Sequence, residues 1–117
     1  MFVDLKLNFI GAFYNEQEYI SSLSKVIRNN RHEESDFLLF SYHVIPNRHL
    51  VKTDPTKSHC LQVKNCCDVE SKAKPFCYKA QVIETSKLCA ERLELKENEW
   101  GISFQSRIGP GWIQPFT

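Results

Sequence analysis

The run Phe37-Leu-Leu-Phe-Ser-Tyr-His43-Val-Ile-Pro46 constrains the fold more than any other stretch of the chain. Its apolar residues are nearly continuous, the pattern of a strand buried in a parallel sheet, and Pro46 cannot continue a hydrogen-bonded ladder. The strand therefore ends close to His43. In open α/β sheets the ligand crevice forms outside the carboxyl end of the strands, so this imidazole is placed where a ligand is met. Taken alone it is weak, because a histidine at a strand end is more often a hydrogen-bonded structural group.

Upstream, Val3, Leu5, Leu7 and Phe9 alternate with polar residues, which predicts a strand from Val3 to Phe9 that stops at Gly11. From Asn15 the spacing of Tyr19, Ile20, Leu23, Val26 and Ile27 predicts a helix closed by Asn29-Asn30, with Asn15 as cap and Glu18 as its capping-box partner. A charged loop, Arg31 to Asp36, leads into the His43 strand. A second helix is expected from about Pro75 to Leu93, and a last strand from Trp100 to Ser106. Right-handed crossovers then predict a three-stranded parallel sheet flanked by helices, an incomplete three-layer, Rossmann-like α/β fold. The strands ending at His43 and Ser106 would share one sheet edge, bringing His43 to the Arg107 to Trp112 turn.

With 117 residues, 42% of them hydrophobic, the chain suffices for one modest domain and not two. Fifteen basic and fourteen acidic residues leave a net charge of +1, which offers no field for a nucleic-acid backbone. The apolar runs are too short to span a membrane, and the N-terminus lacks the pattern of a secretory signal, so a cytoplasmic address is expected.

Five cysteines are an odd number in such a chain and argue against a disulfide framework. Cys60, Cys66, Cys67 and Cys77 fall in a polar tract of about residues 52–77 that looks like an insertion on a globular frame. Their spacing lets four thiols reach a common centre. Thiolates suit iron–sulfur clusters and zinc, but no CxxC pair of the zinc-ribbon kind is present, and adjacent Cys66 and Cys67 suit a two-iron centre better than one tetrahedral zinc. A [2Fe-2S] cluster, zinc and unligated reduced thiols remain open, with the cluster ahead of zinc. His59 is an alternative ligand in the tract, and His32 and His49 are weaker ones. Cys89 lies in the helical row Val82, Thr85, Cys89, Leu93 and is expected to be buried as a small hydrophobe.

Ser41-Tyr-His-Val-Ile-Pro-Asn-Arg48, then Asp54-Pro55, then Gln105-Ser-Arg-Ile-Gly-Pro-Gly-Trp112, together with Phe13-Tyr14-Asn-Glu-Gln-Glu-Tyr19-Ile20, resemble the middle segment of the ferrochelatases, which insert ferrous iron into a porphyrin. The resemblance covers nearly the whole chain and roughly the central third of a full enzyme. It implies one partial chelatase-type domain over residues 1–117 and a role in haem biosynthesis. Its substrates would be ferrous iron and a porphyrin, protoporphyrin IX or coproporphyrin III. A porphyrin loses two pyrrole N–H protons as the metal enters, and a neutral imidazole can accept a proton or bind the metal near physiological pH. His43 matches the family histidine that does this work. Arg48, Arg107 and Trp112 are candidates to hold the porphyrin's propionates and ring, since guanidinium binds carboxylates bidentately and indole covers apolar area, and equally to pack the fold.

Some bacterial members of that family carry a [2Fe-2S] cluster on a compact internal set of cysteines, which the four tract cysteines resemble. The family glutamate that faces the same metal path belongs to a later segment. The isolated chain is therefore expected to have little chelatase activity, and a complementary chain would have to supply the missing segments. Val44 departs from the pattern, because glycine or serine commonly follows the histidine, and a β-branched residue there is expected to narrow the approach to it. The Arg107 to Trp112 turn also looks short. The alternatives are a non-catalytic module holding [2Fe-2S] or zinc on its cysteines, and an inert relic.

Overall fold

A computed structural model describes residues 4–31 and 37–117, so Val3, His32 and most of the stretch expected to be a charged loop, Arg31 to Asp36, lie outside the described residues. The elements in chain order are α1 (Gln17–Asn30), β1 (Leu38–His43), α2 (Asn47–Thr53), α3 (Tyr78–Arg92) and β2 (Trp100–Gln105). Short 3-10 turns at Lys74–Phe76 and Glu97–Glu99 precede α3 and β2.

β1 and β2 pair in parallel, from Leu38 opposite Trp100 to His43 opposite Gln105. Because side chains alternate along a strand, Leu38, Phe40 and Tyr42 share one face with Trp100, Ile102 and Phe104. Both long helices pack on that face. Ile20 of α1, Phe40 of β1 and Cys89 of α3 form one buried cluster, edged by Leu23, Ile27, Leu88, Trp100 and Ile102. The Phe40 and Trp100 rings meet edge to face at 5.8 Å. Tyr42 carries a polar tip into this layer, where its hydroxyl lies 2.7 Å from that of Ser86, which donates onward to the Val82 carbonyl at 2.8 Å. The hydroxyls of Tyr42 and Ser86 are thereby satisfied, as burial demands.

The α/β class stands, but among the described residues two of the three expected strands form. Residues 4–12 hold no regular structure, and Leu5, Leu7 and Phe9 are exposed, Phe9 at 87%. The alternation at the N-terminus is genuine strand chemistry, yet a strand needs a neighbour to satisfy its backbone, and the described residues give it none. The described helices of the sandwich likewise cover one face of the sheet. On the other face Leu39, Ser41 and His43 are exposed.

Two helix boundaries moved for local reasons. Glu16 N–H bonds the Phe13 carbonyl at 3.1 Å, so Asn15 is held in a turn and α1 starts at Gln17 without a side-chain cap; the expected Asn15 and Glu18 capping box does not form. Pro75 sits in the 3-10 turn, Cys77 is extended, and α3 begins at Tyr78. At its other end Glu94 takes a left-handed φ of 56° while Leu95 N–H reaches the Ala90 carbonyl at 2.9 Å, the 6→1 bond of a Schellman stop.

A second core lies beyond the carboxyl ends of the strands, where Val44, Leu50, Cys60, Ala73, Cys77, Ala80, Val82, Phe104 and Ile113 are packed together. The cysteine tract thus shares its interior with the strand ends. Helix α2, for which no expectation stood, contributes Leu50 to it. Cys89 is fully buried on α3, as its row with Val82 and Thr85 implied.

Candidate functional site at the strand ends

The edge of the sheet where β1 and β2 stop gathers residues far apart in sequence. Val44 N–H bonds the Gln105 carbonyl at 3.0 Å, extending the pairing by one residue past His43. Asn47 N–H then reaches the Gly111 carbonyl at 2.8 Å, Ile113 N–H reaches the Ile45 carbonyl at 3.1 Å, and Pro46 bridges Trp112. Gly111 has a φ of +76°, which glycine adopts without strain, so the turn folds back onto residues 45–47. Ser106, also left-handed at φ 68°, ends β2 just before it.

His43 is exposed on the sheet face that carries no described helix, with Ser41 two residues before it on the same face. Tyr78, the first residue of α3, donates its hydroxyl to the His43 carbonyl at 2.8 Å and so holds the backbone under the imidazole. Sequence reasoning missed this brace, because nothing local marks a tyrosine thirty-five residues away as a partner. On the same face the Thr117 hydroxyl lies 2.6 Å from that of Ser103 and 3.2 Å from that of Ser41, tying the chain's last residue across both strands.

The other candidates separate. Trp112 is half-buried against the second core, so part of its ring serves packing. Arg107 is exposed and stacks its guanidinium 4.4 Å over the Phe116 ring. Arg48 is exposed in the first turn of α2. Among the described residues no hydrogen bond joins His43 to Arg48, Arg107 or Trp112, although the backbone brings the 107–112 turn to the same edge. Open clefts of about 370 and 380 Å³ lie along the start of α1 and Arg92, walled by residues such as Gln17 and Glu18, away from His43.

Val44 is 0% exposed and points into the second core. Its isopropyl group lies on the opposite side of the strand from the imidazole, so it does not narrow the approach to His43.

The thiols are arranged around Cys77. The Cys67 thiol donates to Cys77, and Cys60 adds a second such contact. Cys77 is also the residue before α3, where the backbone N–H groups of Ala80 and Lys79 are directed at it. Together these outweigh its burial and pull its pKa down to about 6. Burial pushes Cys60 up to about 12, reinforced by Cys77, and the bond to Cys77 with burial raises Cys67. Cys66 is half-buried, and its carbonyl lies 2.7 Å from His59 Nε2. Three sulfurs therefore converge, and their softness suits iron or zinc. Yet among the described residues no three His, Cys, Asp or Glu groups are arranged to hold a metal ion, so ligation would require the sulfurs to move.

Asp54 anchors the tract. Its carboxylate accepts from Thr56 N–H at 2.8 Å, the Thr56 hydroxyl at 2.7 Å, and the N–H groups of His59 and Cys60 at 2.9 Å each. Burial favours the neutral acid, but these bonds prevail and hold the carboxyl well below the usual range. A depressed carboxyl stabilises the fold fully above its unfolded value of about 3.9 and loses that contribution as pH falls through the folded value. Asp54→Ala leaves the His59 and Cys60 N–H groups without their acceptor. It is expected to lower the thermal midpoint at pH 7 by about 10 °C or more, with a smaller deficit at pH 2. A pair of melting curves at the two pH values checks this.

The family model described as Ferrochelatase matches residues 2–117. The chain belongs to the ferrochelatase family. It is 41% identical to the ferrochelatase of Pseudomonas fluorescens (strain Pf0-1) over 117 residues, covering 98% of this chain and 34% of that protein. It is likewise 41% identical to the ferrochelatase of Stutzerimonas stutzeri (strain A1501), covering 34% of it. A Coxiella burnetii (strain Dugway 5J108-111) ferrochelatase is 40% identical over 114 residues, 32% of its length. The chain therefore spans about a third of the curated ferrochelatases it matches. No solved structure matches it. Because the family match runs through both strands and all three helices, a stand-alone metal module built on the cysteines is not favoured.

Proposed function

We propose that this chain is a ferrochelatase segment that takes part in inserting ferrous iron into a porphyrin in haem biosynthesis, with His43 as proton acceptor or metal ligand at the ring centre. The observation that carries the reading is an exposed imidazole at the carboxyl ends of two parallel strands, beside the 107–112 turn, within a chain matched to the family over residues 2–117. Arg48, Arg107 and the exposed part of Trp112 are proposed to meet propionates and the ring edge, through charge and apolar contact. The described residues form a ledge without an opposite wall, and that wall is proposed to come from protein matching the other two-thirds of the relatives' length, in the same polypeptide or in a complementary chain.

The isolated chain is expected to bind porphyrin weakly and to insert iron or zinc at a rate near the uncatalysed background. Anaerobic metal insertion followed by porphyrin fluorescence checks this, and sustained turnover by the isolated chain would overturn the need for a second wall.

A [2Fe-2S] cluster on Cys60, Cys66, Cys67 and Cys77 belongs to the same proposal. It is supported by four soft donors in one short tract and by the low pKa of Cys77, which supplies thiolate at neutral pH. Anaerobically purified protein with no visible absorption and no bound iron would remove the cluster and leave the chelatase reading standing. A cytoplasmic address is proposed with it, consistent with five free thiols, and cell fractionation tests it. Among the described residues no helix is long and apolar enough to cross a membrane.

A further inference from the structure

His43 is the last residue of β1, and the ends of such elements fray. Neighbouring residues of a strand direct their backbone groups to opposite edges, and Val44 N–H is turned to the Gln105 carbonyl of β2 at 3.0 Å. The His43 carbonyl is therefore turned to the other edge of β1, where among the described residues no strand lies. The Tyr78 hydroxyl takes that place and donates to it at 2.8 Å.

Tyr78 is itself anchored. It opens the 15-residue helix α3, and its ring packs against the second core, in which Val44, Ala80 and Val82 are buried. Burial pushes the phenol's pKa up, so the group remains a donor at neutral pH. Among the described residues the imidazole of His43 has no hydrogen-bond partner of its own, so its place is set by the backbone that carries it. We propose that Tyr78 is a positioning residue for metal insertion: through the His43 carbonyl it fixes the direction in which the imidazole leaves the strand end.

The proposal rests on the chelatase reading of His43 and adds to it a residue that acts through the backbone. Proton transfer and metal binding at a ring centre need near-attack geometry, and a misplacement of about 1 Å costs as much as 10²-fold in rate. Tyr78→Phe removes the hydroxyl and keeps the ring in the core. Tyr42→Phe is its structural counterpart, because it removes a hydroxyl bond of similar length, to Ser86 at 2.7 Å, from the opposite face of the same strand.

Turnover needs both walls of the site, so the test places the whole chain in the matching third of the Pseudomonas fluorescens ferrochelatase. The parent chimera is compared with His43→Ala, Tyr78→Phe, the double variant and Tyr42→Phe, each rate being referred to the folded fraction read from a melting curve. Tyr78→Phe is expected to lower kcat about 3- to 10-fold, the scale of one neutral hydrogen bond, with KM for the porphyrin within about twofold of the parent. In the His43→Ala background the same change should alter the residual rate by less than about twofold, because the hydroxyl acts only through the imidazole. Tyr42→Phe should lower the melting midpoint and leave kcat unchanged. A Tyr78→Phe chimera at the parent's kcat, beside a slow His43→Ala, would overturn the proposal and leave the chelatase reading standing. Equal losses with and without His43 would overturn it too, by making Tyr78 a support of the fold alone. A His43→Ala chimera as fast as the parent would end both.

Discussion

Replacing His43 by alanine is expected to lower metal insertion about 10²–10⁴-fold, the usual contribution of a positioned proton-transfer group. The measurement needs both walls of the site. A chimera in which this chain replaces the matching third of the Pseudomonas fluorescens ferrochelatase, to which it is 41% identical over 117 residues, supplies them. The effect should fall mainly on kcat, because a porphyrin's affinity rests on its large apolar face while the imidazole is proposed to act on the pyrrole protons and the metal at the centre. The substitution should be nearly silent for stability. His43 is exposed on the open face of β1, and its backbone ties, to Tyr78 and through Val44 to Gln105, use main-chain atoms that alanine keeps. A folded chimera that turns over unchanged with His43→Ala would end the assignment of the imidazole. A loss confined to KM would instead make it a binding group.

Much of the framework around the strand ends was legible in the sequence, and the reasons differ by residue. The burial on both faces that the apolar run implied does not form among the described residues, where Leu39, Ser41 and His43 are exposed and Phe40 is the one buried residue of the strand. The missing N–H of Pro46, by contrast, is a local property and located the end of β1. Helical rows in α1 and α3 were legible for the same reason: Ile20, Leu23 and Ile27 or Val82, Thr85 and Cys89 repeat within one element. What escaped was set by partners remote in sequence. The Val3 to Phe9 pattern names a strand only if a neighbour exists, and the described residues pair β1 with β2 alone. The Tyr78 brace, the Thr117 tie across Ser41 and Ser103, and the four bonds of Asp54 arise from chain reversals that alternation and spacing do not encode. The placement of the tract cysteines escaped as well. A polar composition suggests a surface insertion, but Cys60 and Cys77 are small enough and apolar enough to fill the space beneath Phe104 and Ile113, where charged neighbours point outward.

Val44→Gly separates the two roles a residue beside His43 can have. If the isopropyl group obstructed the imidazole, removing it would raise turnover in the chimera. The structure predicts loss of stability instead, because Val44 is 0% exposed and packs in the core that joins the strand ends to Leu50, Phe104 and Ile113. Withdrawing a buried valine side chain forfeits about 2 kcal/mol of transfer free energy, the residual cavity adds to it, and glycine brings roughly 1 kcal/mol of backbone freedom to the unfolded chain. The sum is on the order of 3–5 kcal/mol, a large part of the ~5–15 kcal/mol that holds a typical domain together. Urea unfolding should show the midpoint falling by roughly 1–3 M. Leu39→Ala is the control on the same strand. Leu39 is 47% exposed on the open face and should cost about 0.5 kcal/mol or less unless a second wall covers it. Equal losses at Leu39 and Val44 would mean that the faces of β1 are not distinguished in this way. A Val44→Gly chimera that is as stable as its parent and turns over faster would restore the steric account and move Val44 from the core to the site.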